Sequence, residues 1–360
     1  MPHFAILTGG GDAPGLNAVV RAAVKTAEND YAATVTGIRN GFEGLLDADG
    51  LIPLSSSAVA DIQAKGGTIL GAANRGNPFA RRVIKDGVET IEDRSSMVVE
   101  RIKDHKFDAV IVVGGDGTLS IARELFHMGV PVIGVPKTID NDVGGTQASF
   151  GFDTALNVAV EAIDRLRTTA ESHQRAMVLE VMGRNAGFIA LHAGLSGGAD
   201  VILIPEIPFQ RKKIIARIEK RKELGDRDSL IVVSEGARPA GGEQVISIPG
   251  DQLRVPRLGG VSNQVADFIQ EDCGLETRVT ILGHIQRGGT PTAFDRWLAT
   301  RFGAAAVRLA AAGGFGRMLA YQGDAIIDLD LAEALAQPKR VDLGGDAVQT
   351  ARNLGISLGD

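Results

Sequence analysis

Residues 109–118 read AVIVVGGDGT, and residues 130–142 read VPVIGVPKTIDND. In each stretch a continuous apolar run is followed directly by a motif that combines carboxylate and hydroxyl residues with glycine or lysine. Continuous rather than alternating hydrophobicity is typical of parallel strands that are buried on both faces. Ligands bind at the carboxyl ends of such strands in open α/β sheets, so both motifs are predicted to lie at a ligand site.

The residue types in the two motifs indicate phosphate chemistry. Gly114–Thr118 places glycines, an acid and a hydroxyl ahead of a predicted helix, which suits phosphate and a divalent cation. Lys137, Thr138, Asp140 and Asp142 follow within six residues of one another. Two neighbouring carboxylates need cations or protons, and one of them can accept the proton of an attacking hydroxyl. The motifs favour phosphoryl transfer over the alternatives, a capping turn and a solvated acidic turn.

Composition narrows the class of protein. The 360 residues are 44% hydrophobic and 23% charged, which is typical of a globular protein long enough for two domains. A net charge of −6 argues against nucleic acid as the main partner. The single cysteine, Cys273, cannot form an internal disulfide, which favours a reducing compartment. With no secretory signal and no stretch long enough to span a membrane, we expect a cytoplasmic protein.

Apolar runs alternate with amphipathic stretches along the chain, and this order predicts an α/β fold with a mainly parallel sheet covered by helices on both sides. Residues 236–260 are rich in Gly and Pro and are predicted to form a long loop, and the last twenty residues or so give no clear pattern. The predicted strands are 4–7, 109–113, 130–135, 177–181, 201–204, 230–233 and 279–282. The predicted helices are 16–28, 119–128, 154–167, 211–223, 261–271 and 294–312.

A further glycine-rich turn, TGGGDAPG at residues 8–15, joins the first predicted strand to the first helix. Glycines let backbone N–H groups approach an anion closely, and the helix N-terminus adds partial positive charge. A tight structural turn is the alternative. The chain contains neither the GxxxxGK[ST] pattern of a P-loop nor the GxGxxG spacing of a dinucleotide-binding fold.

Several basic groups occur at or near the ends of apolar runs. They are Arg175, Arg184, Arg278 and the segment 283–289, which reads GHIQRGG. Guanidinium groups provide planar bidentate donors, and converging arginines suit an anionic sugar phosphate. For any one of them a surface salt bridge is the simpler interpretation, but together they favour a binding site.

These motifs closely resemble those of the 6-phosphofructokinase family, from about residue 4 to about residue 316. The motifs occur in the family's order: TGGGDAPGLNAVVR at 8–21, GGDGT at 114–118, PKTIDND at 136–142, GFDTA at 151–155, AIDRLR at 162–167, SHQR at 172–175, VMGR at 181–184, PE at 205–206, SEG at 234–236 and LGHIQRGG at 282–289.

The resemblance implies transfer of a phosphoryl group to the 1-hydroxyl of fructose 6-phosphate, giving fructose 1,6-bisphosphate. It also implies two doubly wound α/β/α domains. Residues 1–151 with about 286–337 would bind the phosphoryl donor, and about 152–285 with about 338–360 would bind the sugar phosphate. A non-catalytic sugar-phosphate sensor on the same fold is disfavoured, because the residues that chemistry requires are all present.

The family's site residues carry over to matching positions. Asp140 would be the general base, supported by Thr138, Lys137 and Asp142, and Arg184 would stabilise the transferred phosphoryl group. Asp116 and Asp142 would bind Mg²⁺. The donor would be bound by Gly11, Arg75, Gly115, Asp116, Gly117 and Thr118. The sugar phosphate would be bound by Thr138, Asp140, Met182, Gly183, Arg184, Glu235, His284 and Arg287, together with Arg175 and Arg278 from a neighbouring subunit.

Arginines that reach across a subunit boundary imply a homo-oligomer, either a dimer or a tetramer, with shared active sites. The donor motifs are mixed. Gly117 is typical of the family's ATP enzymes, whereas Lys137 is typical of its pyrophosphate enzymes. An acid at position 117 would occupy and repel the α-phosphate of a nucleotide, and glycine leaves that space open. ATP is therefore the predicted donor, and a pyrophosphate-dependent phosphotransferase is the alternative.

Overall fold

The structure, a computed structural model, describes residues 1–73, 76–85, 88–250 and 256–360. The predicted donor residue Arg75 lies outside the described residues. The strands are β1 (His3–Thr8), β2 (Thr34–Ile38), β3 (Leu51–Leu54), β4 (Arg81–Lys85), β5 (Val88–Glu92), β6 (Ala109–Gly114), β7 (Val132–Pro136), β8 (Ala176–Val181), β9 (Val201–Leu203), β10 (Ser229–Ser234), β11 (Ile246–Ile248), β12 (Arg257–Leu258), β13 (Thr277–Ile281), β14 (Arg317–Gln322) and β15 (Ala325–Asp330).

The helices follow the same chain order. They are α1 (Leu16–Tyr31), α2 (Ser95–Asp104), α3 (Asp116–His127), α4 (Phe152–His173), α5 (Phe188–Ser196), α6 (Arg211–Glu223), α7 (Val261–Cys273), α8 (Ala293–Ala311), α9 (Leu331–Ala334) and α10 (Asp346–Asn353). Short 3₁₀ helices are formed by Gly41–Leu45, Pro78–Ala80 and Gly283–Arg287.

The chain divides into two compact units. The first unit contains residues 1–139, 143–154 and 287–338, and the second contains residues 140–142, 155–286 and 339–360.

The first unit is built on a seven-stranded sheet with the order β15-β14-β7-β6-β1-β2-β3. Its centre is parallel, and β3 and β15 pair antiparallel at the two edges. Along β1, Phe4 and Ile6 belong to the core cluster under α1 and α8, and Ala5 and Leu7 belong to the cluster under α2 and α3. Both faces of the strand are thus buried, which confirms the interpretation of the continuous apolar runs.

The second unit contains a four-stranded sheet with the order β13-β8-β10-β9, and every pair in it is parallel. Helices α6 and α7 pack on one face through buried residues such as Ile214, Ile218 and Val265. Helix α5 contacts β9 and β10. The four strands predicted for this part of the chain are therefore confirmed, with bounds that differ by at most two residues.

The structure contains strands β2–β5, β14 and β15 and helices α2, α5 and α9, none of which was predicted, and two further segments also differ from the prediction. The expected loop at 236–260 contains a hairpin in which β11 pairs antiparallel with β12. All three residues of β11 are exposed, and three residues are too few to give a period that can be recognised in the sequence. The C-terminal stretch contains α10, in which only Val348 and Ala351 are buried. Two buried residues are too few to create a helical period that can be recognised in the sequence.

No helix in the described part of the chain is long and apolar enough to cross a membrane.

Asp295, in the first turn of α8, is a completely buried carboxyl group. Its Oδ2 accepts hydrogen bonds from Thr154 N at 2.8 Å and from Thr154 Oγ1 at 2.5 Å. Burial outweighs these bonds and raises the pKa of Asp295 to about 6. The folded protein therefore holds a proton on this group more tightly than the unfolded chain does.

We expect this group to contribute stability that is fully present below pH 4 and is lost as the pH rises through 6. A shift from the ordinary value of 3.8 to about 6 corresponds to roughly 3 kcal/mol of unfolding free energy. Asp295→Asn should abolish this part of the pH dependence. Urea unfolding between pH 4 and 7, followed by the fluorescence of the single tryptophan, Trp297, measures it. The exposed Asp61→Asn is the control, and an unchanged pH profile in Asp295→Asn would contradict the assignment.

Candidate active site

The two glycine motifs of the first unit meet around one side chain, Thr118. Strands β1 and β6 are parallel neighbours, so the turns that follow them lie side by side. A Cβ atom added at Gly9 would lie 2.5 Å from Thr118 Cγ2, and one added at Gly114 would lie 2.4 Å from Thr118 Cβ. Real Cβ atoms do not approach so closely. Both positions therefore require glycine if Thr118 is to be enclosed between the turns.

Lys137 brings a buried positive charge to the same place. Lys137 is the first residue after β7 and is only 3% exposed. Its Nζ donates a hydrogen bond to the carbonyl oxygen of Gly11. Its backbone N–H donates to Gly114 O at 2.9 Å. A buried ammonium group is costly unless it is hydrogen-bonded. The first glycine turn supplies one such bond.

Asp116 and Gly117 occupy the first turn of α3. An acidic residue at this position is stabilised by the partial positive charge of the helix N-terminus. Gly117 is exposed, and a Cβ added there would meet nothing within 4 Å. The space beside Gly117 is therefore open to a ligand.

A cavity of about 320 Å³ adjoins the first glycine turn. It is lined by Gly10 and Asp12, which the sequence motif contains, by Ala72, which lies in the segment of the predicted donor residue Arg75, and by Gly67, Thr68 and Gly71, which were not predicted. Thr8 Oγ1 ties the segments together, because it hydrogen-bonds Thr68 Oγ1 at 3.0 Å and Gly71 O at 2.9 Å. The available signal was the run of glycines at 66–71, but it does not follow an apolar strand directly.

Arg287 lies against the first glycine turn. Its Nη1 donates to Asp12 O at 3.1 Å, and a Cβ at Gly11 would come within 2.8 Å of the same atom. This residue belongs to the first unit, whereas the exposed His284 belongs to the second. Each unit thus holds one of the two residues that the resemblance assigns to the 6-phosphate.

In the second unit the predicted residues of the SEG and VMGR motifs lie at the carboxyl ends of β8 and β10. Ser234 Oγ donates to Gly183 O at 2.5 Å, and Glu235 N donates to Val181 O at 2.8 Å. Met182 N donates to the buried Gln286 Oε1 at 2.7 Å. Gly183 has a φ of +129°, and a Cβ there would lie 2.5 Å from Ser234 Oγ. Both the positive φ and the lack of space for a Cβ atom therefore require glycine at position 183.

Arg184 is half-buried and faces the segment before β12. Its Nη1 donates to Pro256 O at 2.7 Å, and its own carbonyl oxygen accepts from Gln244 Nε2 at 3.0 Å. The segment that contains the β11–β12 hairpin therefore contacts Arg184, which the resemblance assigns to stabilisation of the transferred phosphoryl group.

The TIDND motif crosses the division between the units. Thr138, in the first unit, accepts a hydrogen bond from Ser149 Oγ at 2.8 Å on its carbonyl oxygen. Asp140 and Asp142 belong to the second unit, where Lys339 N donates to Asp142 O at 2.8 Å. Burial lowers the pKa of Lys339 to about 8, although the Asp142 carboxylate acts in the opposite direction. The prediction missed Lys339, which lies far along the chain in an irregular segment.

Arg175 and Arg278 lie at the opposite, amino end of the second sheet. Arg175 immediately precedes β8, and Arg278 is paired with Met177 in the strand register. Both contact Glu276, with Arg175 Nε 2.7 Å from Glu276 Oε2. At about 3.3 Å per strand residue, Arg175 is roughly 20 Å from Met182. Within one chain these arginines do not belong to the group formed by Met182, Gly183 and Glu235.

A metal ion would need several oxygen, nitrogen or sulfur ligands close together. Within residues 1–73, 76–85, 88–250 and 256–360 no group of three or more His, Cys, Asp or Glu side chains is arranged to hold a metal ion. Magnesium is usually held by one or two carboxylates together with substrate phosphates and water. Asp116, at the edge of the glycine turns, fits that role.

Comparisons with known proteins show which family the chain belongs to. A family model described as Phosphofructokinase matches residues 3–310. A Chloroflexus aurantiacus protein named ATP-dependent 6-phosphofructokinase is 50% identical over 358 residues, which cover 99% of this chain and 98% of the relative. An Amycolatopsis methanolica protein named pyrophosphate–fructose 6-phosphate 1-phosphotransferase is 50% identical over 337 residues, covering 93% and 95%. The solved structure of phosphofructokinase from Saccharomyces cerevisiae matches 99% of this chain with a TM-score of 0.80 and 32% identity, and this chain spans 47% of that one.

The enclosure of Thr118 can be tested by mutation. Gly9→Ala should destabilise the protein by about 1–3 kcal/mol, because its methyl group overlaps the Thr118 side chain. Adding Thr118→Ala removes that overlap, so the double variant should be more stable than additivity predicts. Gly117→Ala is the control and should be neutral or slightly stabilising. Chemical unfolding of the unmodified protein, both single variants, the double variant and the Gly117→Ala control decides this, and strictly additive effects would contradict the packing described.

Proposed function

The chain belongs to the phosphofructokinase family, and we propose that it transfers a phosphoryl group from ATP to the 1-hydroxyl of fructose 6-phosphate. The products are ADP and fructose 1,6-bisphosphate. The observation that carries the proposal is the convergence of GGDGT, the first glycine turn and the buried ammonium of Lys137 at neighbouring strand ends. The TIDND motif continues directly from Lys137, so the acceptor chemistry is encoded next to the donor site.

Asp140 is the proposed general base, which accepts the proton of the 1-hydroxyl as that oxygen attacks the γ-phosphorus. Thr138 and Asp142 support this residue from the same loop. Lys137 and Arg184 stabilise the negative charge that is spread over the transferred phosphoryl group and the leaving phosphate. This electrostatic stabilisation is the main contribution that a protein can make to phosphoryl transfer.

The donor's phosphates are assigned to the glycine turns and the N-terminus of α3. Gly11, Gly115, Gly117 and Thr118 line this position, and Arg75 completes the proposed set. Asp116 and Asp142 are the carboxylates proposed to hold Mg²⁺. Held by these carboxylates, the ion would neutralise negative charge on the donor's phosphates.

The sugar phosphate is assigned to the second unit and Arg287. Met182, Gly183 and Glu235 would hold the sugar, and His284 with Arg287 would bind its 6-phosphate.

Arg175 and Arg278 are proposed to serve the site of a neighbouring copy. Their place at the amino end of the sheet, roughly 20 Å from Met182, supports this assignment. We therefore propose a symmetric homo-oligomer, a dimer or a tetramer, in which active sites are completed between chains.

The open space beside Gly117 supports ATP as the donor. The second candidate function uses pyrophosphate instead, and two observations favour it. Lys137 is the residue of the pyrophosphate enzymes' motif, and a relative named for pyrophosphate is as similar as the one named for ATP. Steric access to the α-phosphate position is the stronger argument, because a lysine at 137 is compatible with either donor.

The first test concerns the base. Asp140→Asn should lower kcat by roughly 10²–10⁴-fold with a small change in KM, because a positioned base contributes about that factor. Steady-state kinetics with fructose 6-phosphate and MgATP measures both parameters. The exposed Asp164→Asn on α4 is the control and should retain full activity. Near-native turnover in Asp140→Asn would show that another group takes the proton.

The second test concerns shared sites. An Asp140→Asn protein and an Arg278→Ala protein should each be poorly active, and mixed oligomers of the two should recover part of the activity. Recovery is expected because some sites then combine the intact Asp140 of an Arg278→Ala chain with the intact Arg278 of an Asp140→Asn chain. Mixing Asp140→Asn with Asp140→Ala is the control and should recover nothing. Mixed oligomers without recovered activity would contradict sites that are shared between chains.

The third test concerns the donor. Gly117→Asp places a carboxylate in the open space, where it overlaps and repels the α-phosphate of a nucleotide. The value of kcat/KM for ATP should fall much further than any value for pyrophosphate. Gly117→Ala is the control. It replaces the glycine without adding a charge, so it separates the effect of the carboxylate from the effect of losing glycine. Preference of the unmodified enzyme for pyrophosphate would overturn the donor assignment and leave the family assignment intact.

A further inference from the structure

A second cavity, of about 400 Å³, lies entirely within the second unit. Its walls come from the segments that follow β8, β9 and β10, from the β11–β12 hairpin with the residues just before it, and from the segment after α9. Three arginines line it, namely Arg184, Arg238 and Arg340. The cavity therefore concentrates positive charge outside the residues that the proposed function assigns to substrates, with Arg184 as the one shared residue.

This charge is poorly compensated. Glu243 is the only carboxylate among the lining residues. Elsewhere in the same unit, Arg221 lies 2.7 Å from the buried Asp200 carboxylate. In the described part of the chain none of the three cavity arginines forms an ion pair. Three guanidinium groups beside one carboxylate repel each other, and an anion between them would relieve that repulsion.

The walls of the cavity are held in place by hydrogen bonds. Gln244 Nε2 donates to the carbonyl oxygens of Arg184 and Gly236, both at 3.0 Å. Arg340 donates to the carbonyl oxygen of Asn185, and the next residue, Val341, donates to Glu206 Oε1 at 3.0 Å. The site is thus constructed from tertiary contacts before any ligand arrives.

The lining also has an apolar part, which comprises Pro205, Ile246 and Leu258. Small-molecule sites usually combine a few polar groups that fix orientation with apolar walls, in volumes of roughly 300–1,000 Å³. Guanidinium groups bind phosphate oxygens in a bidentate manner. The lining therefore suits a small anion, either alone or attached to a compact organic group.

We propose that this cavity is a second anion site, which binds a phosphate group in the form of inorganic phosphate or a small phosphate monoester. The phosphate would be held by Arg238, Arg340 and Arg184. The consequence for activity rests on the proposed function of Arg184. An anion in the cavity holds its guanidinium beside Pro256 O and withdraws it from phosphoryl transfer, so occupancy inhibits the enzyme.

Two variants that change the charge of the cavity in opposite directions test the binding site. Arg238→Gln removes one cation, and Glu243→Gln removes the only carboxylate, and neither residue has a role in the proposed catalytic machinery. Isothermal titration of inorganic phosphate and of glycerol 3-phosphate is carried out with fructose 6-phosphate present, so that the proposed sugar-phosphate site is filled. Arg165→Gln, on the exposed face of α4, is the matched control.

We expect Arg238→Gln to weaken binding of at least one probe by about tenfold and Glu243→Gln to strengthen it, because a charge-assisted hydrogen bond is lost in one variant and a repulsion in the other. The control should bind as the unmodified protein does. Equal affinity in all four proteins, or no binding of either probe, would overturn the proposal. Circular dichroism establishes that each variant is folded.

A kinetic measurement separates this proposal from the proposed function. Without added phosphate, Arg238→Gln should retain the kcat of the unmodified enzyme, and its inhibition by the bound probe should be about tenfold weaker. Inhibition that is the same in both proteins would refute the link to Arg184. Absence of kinase activity in the unmodified protein would refute the proposed function, while the titration would still test the cavity.

Discussion

The buried ammonium group of Lys137 is the charge around which the first unit's site is organised. It needs an oxygen partner, and the carbonyl of Gly11 supplies one because glycine turns let the backbone come this close. The same turns enclose Thr118, which no residue with a Cβ at positions 9 or 114 would allow. A cation held next to two glycine turns and a helix N-terminus suits the phosphate proposed to bind there, so packing and the proposed chemistry favour the same residues.

The second unit separates its functional residues between the two ends of one parallel sheet. Met182, Gly183 and Glu235 follow strands β8 and β10, whereas Arg175 and Arg278 lie where β8 and β13 begin. In a parallel sheet these two ends are as far apart as the strands are long, and no change of rotamer closes that distance. A substrate that touches both groups must therefore lie between two copies of the chain, which is the physical basis for proposing shared sites.

The arginines of the second unit form two groups, which differ in the partners of their guanidinium groups. Arg167, Arg217 and Arg221 surround the Asp200 carboxylate, whose pKa is raised by burial despite their charges. These residues stabilise the fold. In the second cavity, Arg184 and Arg340 donate to backbone carbonyl oxygens instead, and the proposed anion would meet their positive charge. The sequence alone does not separate the two groups, because tertiary contacts decide whether an arginine meets a carboxylate or a carbonyl oxygen.

The sequence by itself determined the strand ends and the motifs that follow them, because a buried parallel strand requires a continuous apolar run and the ligand site lies where that run stops. It also determined the family, through motifs such as PKTIDND that chemistry constrains residue by residue. The tertiary structure alone decided that Arg287 packs on Gly11, that Gly67, Thr68, Gly71 and Ala72 line the first cavity and that Lys339 reaches Asp142. Those neighbours are distant along the chain and carry no periodic signal, so only the folded sheets and loops bring them together.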